Sequence, residues 1–166
     1  MTAGRLWDEA KDIAFLRAVR SPFKFTVAGE LQGDCSALAA LRNVEFRGSL
    51  REDEMLRLLS ESAVYVCTSR YEPFGLAPLE AALAGCAVLA RDIGSLREVW
   101  QDAAIYFNNA DQLSRILTEL TDQPALLHLA RERACQRAQQ FSRERMTSAY
   151  RALYAHILAK EHACVA

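Results

Sequence analysis

Glu72 and Glu80 stand with seven residues between them in the stretch TSRYEPFGLAPLEAALAGCAVLARD. The run AVYVCTS before Glu72 is largely apolar and ends in a short polar loop. A helix-forming run follows Gly75 and stops at Gly85, and CAVLA is apolar again. This order reads as strand, loop, helix, strand. A helix N-terminus presents free N–H groups and the positive end of the helix dipole, which together form an anion site. Two carboxylates beside such a site suit a ligand that carries both phosphate and hydroxyl groups. Glu80 is expected in the first turn of that helix, where the dipole favours a carboxylate. Glu72 is expected in the loop, with little structural duty. Near the start of the chain, Arg5 and Lys11 flank a helix start. Arginine supplies a two-pronged fork and lysine a point charge, a pair able to clamp a diphosphate.

The elements that must hold these residues alternate along the chain. Apolar residues at helical spacing (Ile13, Phe15, Leu16, Val19) predict a helix over 8–19, which Ser21-Pro22 ends. A strand is expected over 23–28, closed by Gly29, then a short helix over 35–41 and a strand over 43–47. Ser49 and Glu52 form a capping-box pattern before the next helix. Strands follow at 63–67, 87–90 and 104–107, with a short helix over 95–100. The remainder reads as helix: 111–120, 124 to about 140, and 142 to about 160. Pro124 suits the first turn of its helix. Alternating strands and helices imply an α/β fold, a parallel sheet wound on both faces. Ligands bind such sheets at the carboxyl ends of strands, near the switch in strand order.

With 166 residues the chain is long enough for a single domain with a real core. A net charge of −1 gives no reason to expect nucleic-acid binding by bulk electrostatics. No stretch reaches the length of a membrane span, and the polar N-terminus is unlike a signal peptide. The five cysteines (Cys35, Cys67, Cys86, Cys135, Cys164) are odd in number and lack any C-x-x-C pairing. They read as reduced thiols in a reducing, cytoplasmic compartment. No Asp-x-Asp follows a strand, so no metal–diphosphate site is indicated and no cofactor is expected.

The string EPFGLAPLEAALAGCAVLA resembles the E-x7-E region of retaining nucleotide-sugar glycosyltransferases of the GT-B fold (glycosyltransferase group 1, or family 4-like). Spacing, Phe-Gly and the following A-x-x-x-G-x-x-V agree, whereas Thr68-Ser69 stands where that family often has Pro-Ser. The resemblance implies that Glu72 meets hydroxyls of the donor sugar and Glu80 holds the ribose. It also implies that Gly75, Leu76 and Phe74 lie along the sugar and phosphate. Arg5 and Lys11 would join Glu72 as catalytic residues, although the family usually sets that Arg and Lys one residue closer. Leu50 matches the position whose backbone meets the nucleotide base.

The chain from about residue 4 to about 154 then resembles the C-terminal, donor-binding half of a two-domain transferase. It would be a Rossmann-like sheet with its first strand largely missing, covering 1–166 as a single domain with C-terminal helices from about 124. The resemblance implies a nucleoside-diphosphate sugar as co-substrate, used without a metal. An acceptor-binding N-terminal domain or partner chain would complete the cleft and carry any peripheral membrane association. A non-catalytic nucleotide or nucleotide-sugar binding module is the alternative.

Ser69 and Arg70 share the loop and are candidates to touch phosphate or acceptor. Gly29 and Gly33 either open room for the nucleotide or make a turn. His128, His156 and His162 fall on late helices and receive no catalytic role. Trp7 and Trp100 are read as packing groups.

Overall fold

Strands whose residues are apolar almost throughout must be covered on both faces. Strand β4 (Val64–Cys67, VYVC) and strand β5 (Ala87–Arg91, AVLAR) meet this condition. The computed structural model describes residues 1–30, 41 and 43–164, with side chains to residue 159. The helix expected over 35–41 and Gly33 lie outside the described residues, apart from Leu41.

Strands β1 (Thr2–Ala3), β2 (Phe25–Ala28) and β3 (Val44–Gly48) pair in parallel in the order β1-β2-β3. Strands β4, β5 and β6 (Ile105–Phe107) form a second parallel set in the order β4-β5-β6. Met1 joins the two sets: its nitrogen donates to Val64 O at 2.6 Å, and Val66 N donates to Met1 O at 2.8 Å. The combined order is β3-β2-β1-β4-β5-β6, a Rossmann-like sheet. The two-residue β1 occupies its centre.

Alternation along the strands sends side chains to two cores. Tyr65, Cys67, Val88 and Ala90 face one, with Leu59, Leu79, Leu96 and Trp100. Val27, Val66 and Leu89 face the other, with Leu16, Phe107, Leu113 and Leu117. The first face is covered by α1 (Glu52–Ser60), α2 (Leu76–Leu83), α3 (Gly94–Trp100) and α5 (Pro124–Ala138). The second is covered by α4 (Ala110–Asp122) and by short 3-10 turns after β1. Buried alanines, Ala81 and Ala82 on α2 and Ala134 and Ala138 on α5, let these helices share one core cluster at close range. The last helix, α6 (Arg143–Cys164), keeps Met146, Tyr150, Leu153 and Ile157 exposed. No helix among the described residues is long and apolar enough to cross a membrane.

Two local expectations change. The helix expected over 8–19 is two 3-10 turns, Glu9–Lys11 and Ile13–Ala18, because Asp12 between them adopts a left-handed conformation with φ 46°. The capping box of Ser49 and Glu52 does not form. Helix α1 begins two residues later, where the Glu54 carboxylate accepts from the Arg51 N–H at 2.9 Å.

Candidate functional site

Strands β1 and β4 are neighbours although β2 and β3 lie between them in sequence, so the strand order switches there. Beyond their carboxyl ends is the crevice where open α/β sheets bind ligands. The turn after β1 and the loop after β4 line it.

Lys11 crosses this crevice. Its stem lies over Gly4, and its Nζ donates to Glu72 Oε2 at 2.5 Å. The side chains are only 20% and 13% exposed, so water screens the pair less than it would a surface pair. Glu72 is held a second time, since Ser95 Oγ on α3 donates to its carbonyl at 2.7 Å. The expectation that Glu72 has little structural duty therefore fails.

The turn and the loop are stitched together around this pair. Arg70 N donates to Ala10 O at 2.8 Å, and Thr68 Oγ1 donates to Lys11 O at 2.6 Å. Asp12 Oδ2 accepts from Arg70 Nε at 2.8 Å and pairs with Arg91 Nη2 at 2.9 Å. Sequence reasoning did not single out Asp12 or Arg91. The available signal was an arginine ending the otherwise buried run CAVLA.

Arg5 does not join Lys11. Its guanidinium is 65% exposed, pairs with Asp8 at 3.1 Å and lies over the Trp7 ring. The structure thus brings Lys11 to Glu72 and leaves Arg5 at the rim.

Gly75 caps α2 with φ 89°. A Cβ there would stand 2.8 Å from Pro78 Cγ, so the chain itself requires glycine at this position whatever the ligand. Gly29 has a similar reason. A Cβ there would lie 1.8 Å from the Gly4 carbonyl oxygen, where β1 and β2 end side by side. Phe74 anchors the loop by packing edge-on against Phe141, with ring centroids 5.2 Å apart. Leu76, the first residue of α2, is exposed. Leu50 is half-buried against the core and lines a pocket with Arg47, Arg51 and Leu58.

Glu80 is exposed and is the fifth residue of α2, one turn further on than expected. The first turn of α2 holds no acidic residue, so the dipole contributes little to Glu80. Ser69 and Thr68 are buried. Burial pushes the neighbouring Cys67 thiol up from its ordinary pKa. His128 sits on α5 beside Glu132, His156 is exposed on α6, and the His162 side chain is outside the described residues. Trp100 is fully buried in the core, whereas Trp7 is exposed. Among the described residues no three His, Cys, Asp or Glu side chains gather as a metal site would need.

The family model described as glycosyl transferases group 1 matches residues 11–140. A glycogen synthase of Mycobacterium tuberculosis is 32% identical over 143 residues, covering 80% of this chain and 33% of that protein. The serotype-specific mannosyltransferase WbdA of Escherichia coli is 37% identical over 81 residues, covering 47% of this chain and 10% of that one. The chain spans about a third of the length of the glycogen synthase it matches. Among solved structures, a glycosyltransferase of Rickettsia africae superposes with a TM-score of 0.78 at 17% identity, covering 95% of this chain and 47% of the other. Anabaena HepE in complex with UDP-glucose superposes with a TM-score of 0.70 at 19% identity, covering 84% and 43%. The chain belongs to the glycosyl transferases group 1 family, with the fold of the C-terminal domain of a GT-B enzyme.

Proposed function

We propose that this domain binds a nucleoside-diphosphate sugar across the β1–β4 switch point and presents the sugar for transfer to an acceptor with retention. The carrying observation is the Lys11–Glu72 pair, a cation and a carboxylate meeting at the carboxyl ends of two strands that adjoin only at the switch. In this reading Lys11 and the free N–H groups at the start of α2 take the diphosphate. Arg5 swings in from the rim to help them. Glu72 receives the sugar hydroxyls, and Glu80 receives the ribose.

As the bond between the anomeric carbon and the diphosphate oxygen breaks, negative charge gathers on the leaving nucleoside diphosphate. Fixed cations and amides stabilise that charge more than they stabilise the intact donor, which lowers the barrier. The countercharge comes from these groups, so binding proceeds without a divalent cation. The acceptor is held by a second domain or chain, which orients it for attack. The setting is cytoplasmic, with any membrane contact made through that second half. The crystal structures of HepE in complex with UDP-glucose, and with UDP and glucose, support a nucleotide-sugar ligand for this fold.

A thermal-shift screen of the chain against UDP-, GDP- and ADP-sugars tests the reading. A ligand of the folded form at a hundredfold excess over Kd adds about 2.7 kcal/mol. One nucleotide series should raise the melting temperature clearly. No shift with any of the three would contradict donor binding.

A further inference from the structure

Lys11 can act on a ligand only if its backbone turn is fixed, and local sequence does not fix it. The segment 9–18 breaks at Asp12, whose left-handed φ of 46° costs a non-glycine residue energy unless its surroundings impose it. Those surroundings are two arginines distant in sequence, one from the loop after β4 and one from β5. Arg70 lies two residues before Glu72, and Arg91 ends β5. Both bond the same Asp12 oxygen. The Asp12 side chain is 9% exposed and that of Arg91 15%. Arg91 is fixed further by Phe15, whose ring lies 4.5 Å from its guanidinium carbon and stacks on Phe107. The bridge therefore ties the backbone just after Lys11 to the sheet and to the Glu72 loop.

We propose that Asp12 is the positioning residue for Lys11: bridged by Arg70 and Arg91, it holds the turn that aims the Lys11 ammonium across the switch point at Glu72. Its consequence for ligands rests on the donor-binding reading above. Asp12 need not touch the donor. It is an anion near a site for anions, so Coulomb repulsion alone would make its removal strengthen diphosphate binding. Positioning demands the opposite sign, and a purely structural role would change stability without changing either readout below.

Asp12→Asn keeps the size and tolerates the left-handed backbone, but it removes the charge the arginines hold. The first measurement is competitive acetylation of the ligand-free full chain, with Lys11 read against the exposed Lys24 by mass spectrometry. Lys11 should react slowly in the unsubstituted chain and roughly tenfold faster in Asp12→Asn, the change that loss of one charged hydrogen bond would give. An unchanged Lys11-to-Lys24 ratio overturns the proposal. Arg70→Gln removes the exposed arm of the bridge and should raise the ratio in the same direction, so the proposal stays falsifiable if Asp12→Asn does not fold.

The second measurement is calorimetry with UDP, GDP and ADP. The diphosphate that binds the unsubstituted chain should bind Asp12→Asn more weakly, by roughly tenfold. In a Lys11→Met background the same change should have no further effect. Tighter binding by Asp12→Asn, or an equal loss in both backgrounds, overturns the proposal. If no diphosphate binds the unsubstituted chain, the donor reading fails, and the acetylation ratio still judges Asp12.

Discussion

Lys11 Nζ lies 2.5 Å from a carboxylate oxygen of Glu72, and 61 positions of sequence separate the two residues. Neither partner is well solvated, so removing one leaves the other poorly compensated. Lys11→Met and Glu72→Ala should each cost about 1–3 kcal/mol of stability. The double substitution should cost less than the sum, as expected of residues in contact. Urea denaturation of the four chains measures this cycle, and strict additivity would show that the pair is worth nothing in the fold. The ligand effects should divide the two residues. Lys11→Met should weaken nucleoside-diphosphate binding roughly ten- to a hundredfold. Glu72→Ala should spare the diphosphate and weaken only the full sugar donor.

Glu80 should behave in the opposite way. It is exposed on the second turn of α2 and makes no first-turn contribution to the helix. Glu80→Ala should leave the urea midpoint within the small range of ordinary surface changes, about 0.5 kcal/mol. Calorimetry should show nucleotide affinity down roughly ten- to a hundredfold if its carboxylate holds the ribose. Unaltered affinity would remove Glu80 from the site.

Gly75→Ala tests the loop itself. A Cβ at φ 89° is strained, and it would press on Pro78 Cγ at 2.8 Å. The expected loss is about 1–3 kcal/mol. A midpoint equal to that of the unsubstituted chain would mean that the α2 cap can rearrange.

Tyr65 covers the place where β1 and β4 part. Its hydroxyl accepts from Ala3 N at 3.2 Å and donates to Ala3 O at 3.0 Å, standing in for ladder bonds that stop at Met1. Tyr65→Phe should cost about 1–3 kcal/mol by leaving these buried backbone groups unpaired. Burial raises the phenol pKa well above its ordinary value of 10.0. The folded chain therefore holds this proton more tightly than the unfolded chain. The stability involved is present below pH 10 and declines as pH rises beyond it. Denaturant midpoints of the two chains between pH 8 and 11, roughly the range spanning an ordinary tyrosine pKa, should converge as pH rises. Parallel midpoint curves would assign the alkaline loss to other groups.

The sheet was legible because its strands are short apolar runs bounded by glycine and polar turns, and each expected strand falls within two residues of its place. The loop between β4 and α2 was legible for the same reason: its strand, its glycine and its helix are all local. What sequence could not give was set by distant partners. The apolar spacing around Ile13 and Leu16 points to a helix, yet arginines from β4's loop and β5 hold Asp12 in a left-handed turn that breaks it. The position of Glu80 depended on where α2 begins, and Gly75 with Pro78 fixes that start. The contact of the Phe74 ring with Phe141, 67 positions further along the chain, was likewise not visible in the local sequence.

In the proposed function the β1–β4 switch point is a diphosphate site built on Lys11. Calorimetry of UDP, GDP and ADP, each beside its parent nucleoside, tests it most directly. The titrations are run with and without EDTA on the unsubstituted chain and on Lys11→Met. One diphosphate should bind far more tightly than its nucleoside, EDTA should change nothing, and Lys11→Met should remove most of the difference. Equal affinity for nucleoside and diphosphate, or an undiminished preference in Lys11→Met, would contradict it.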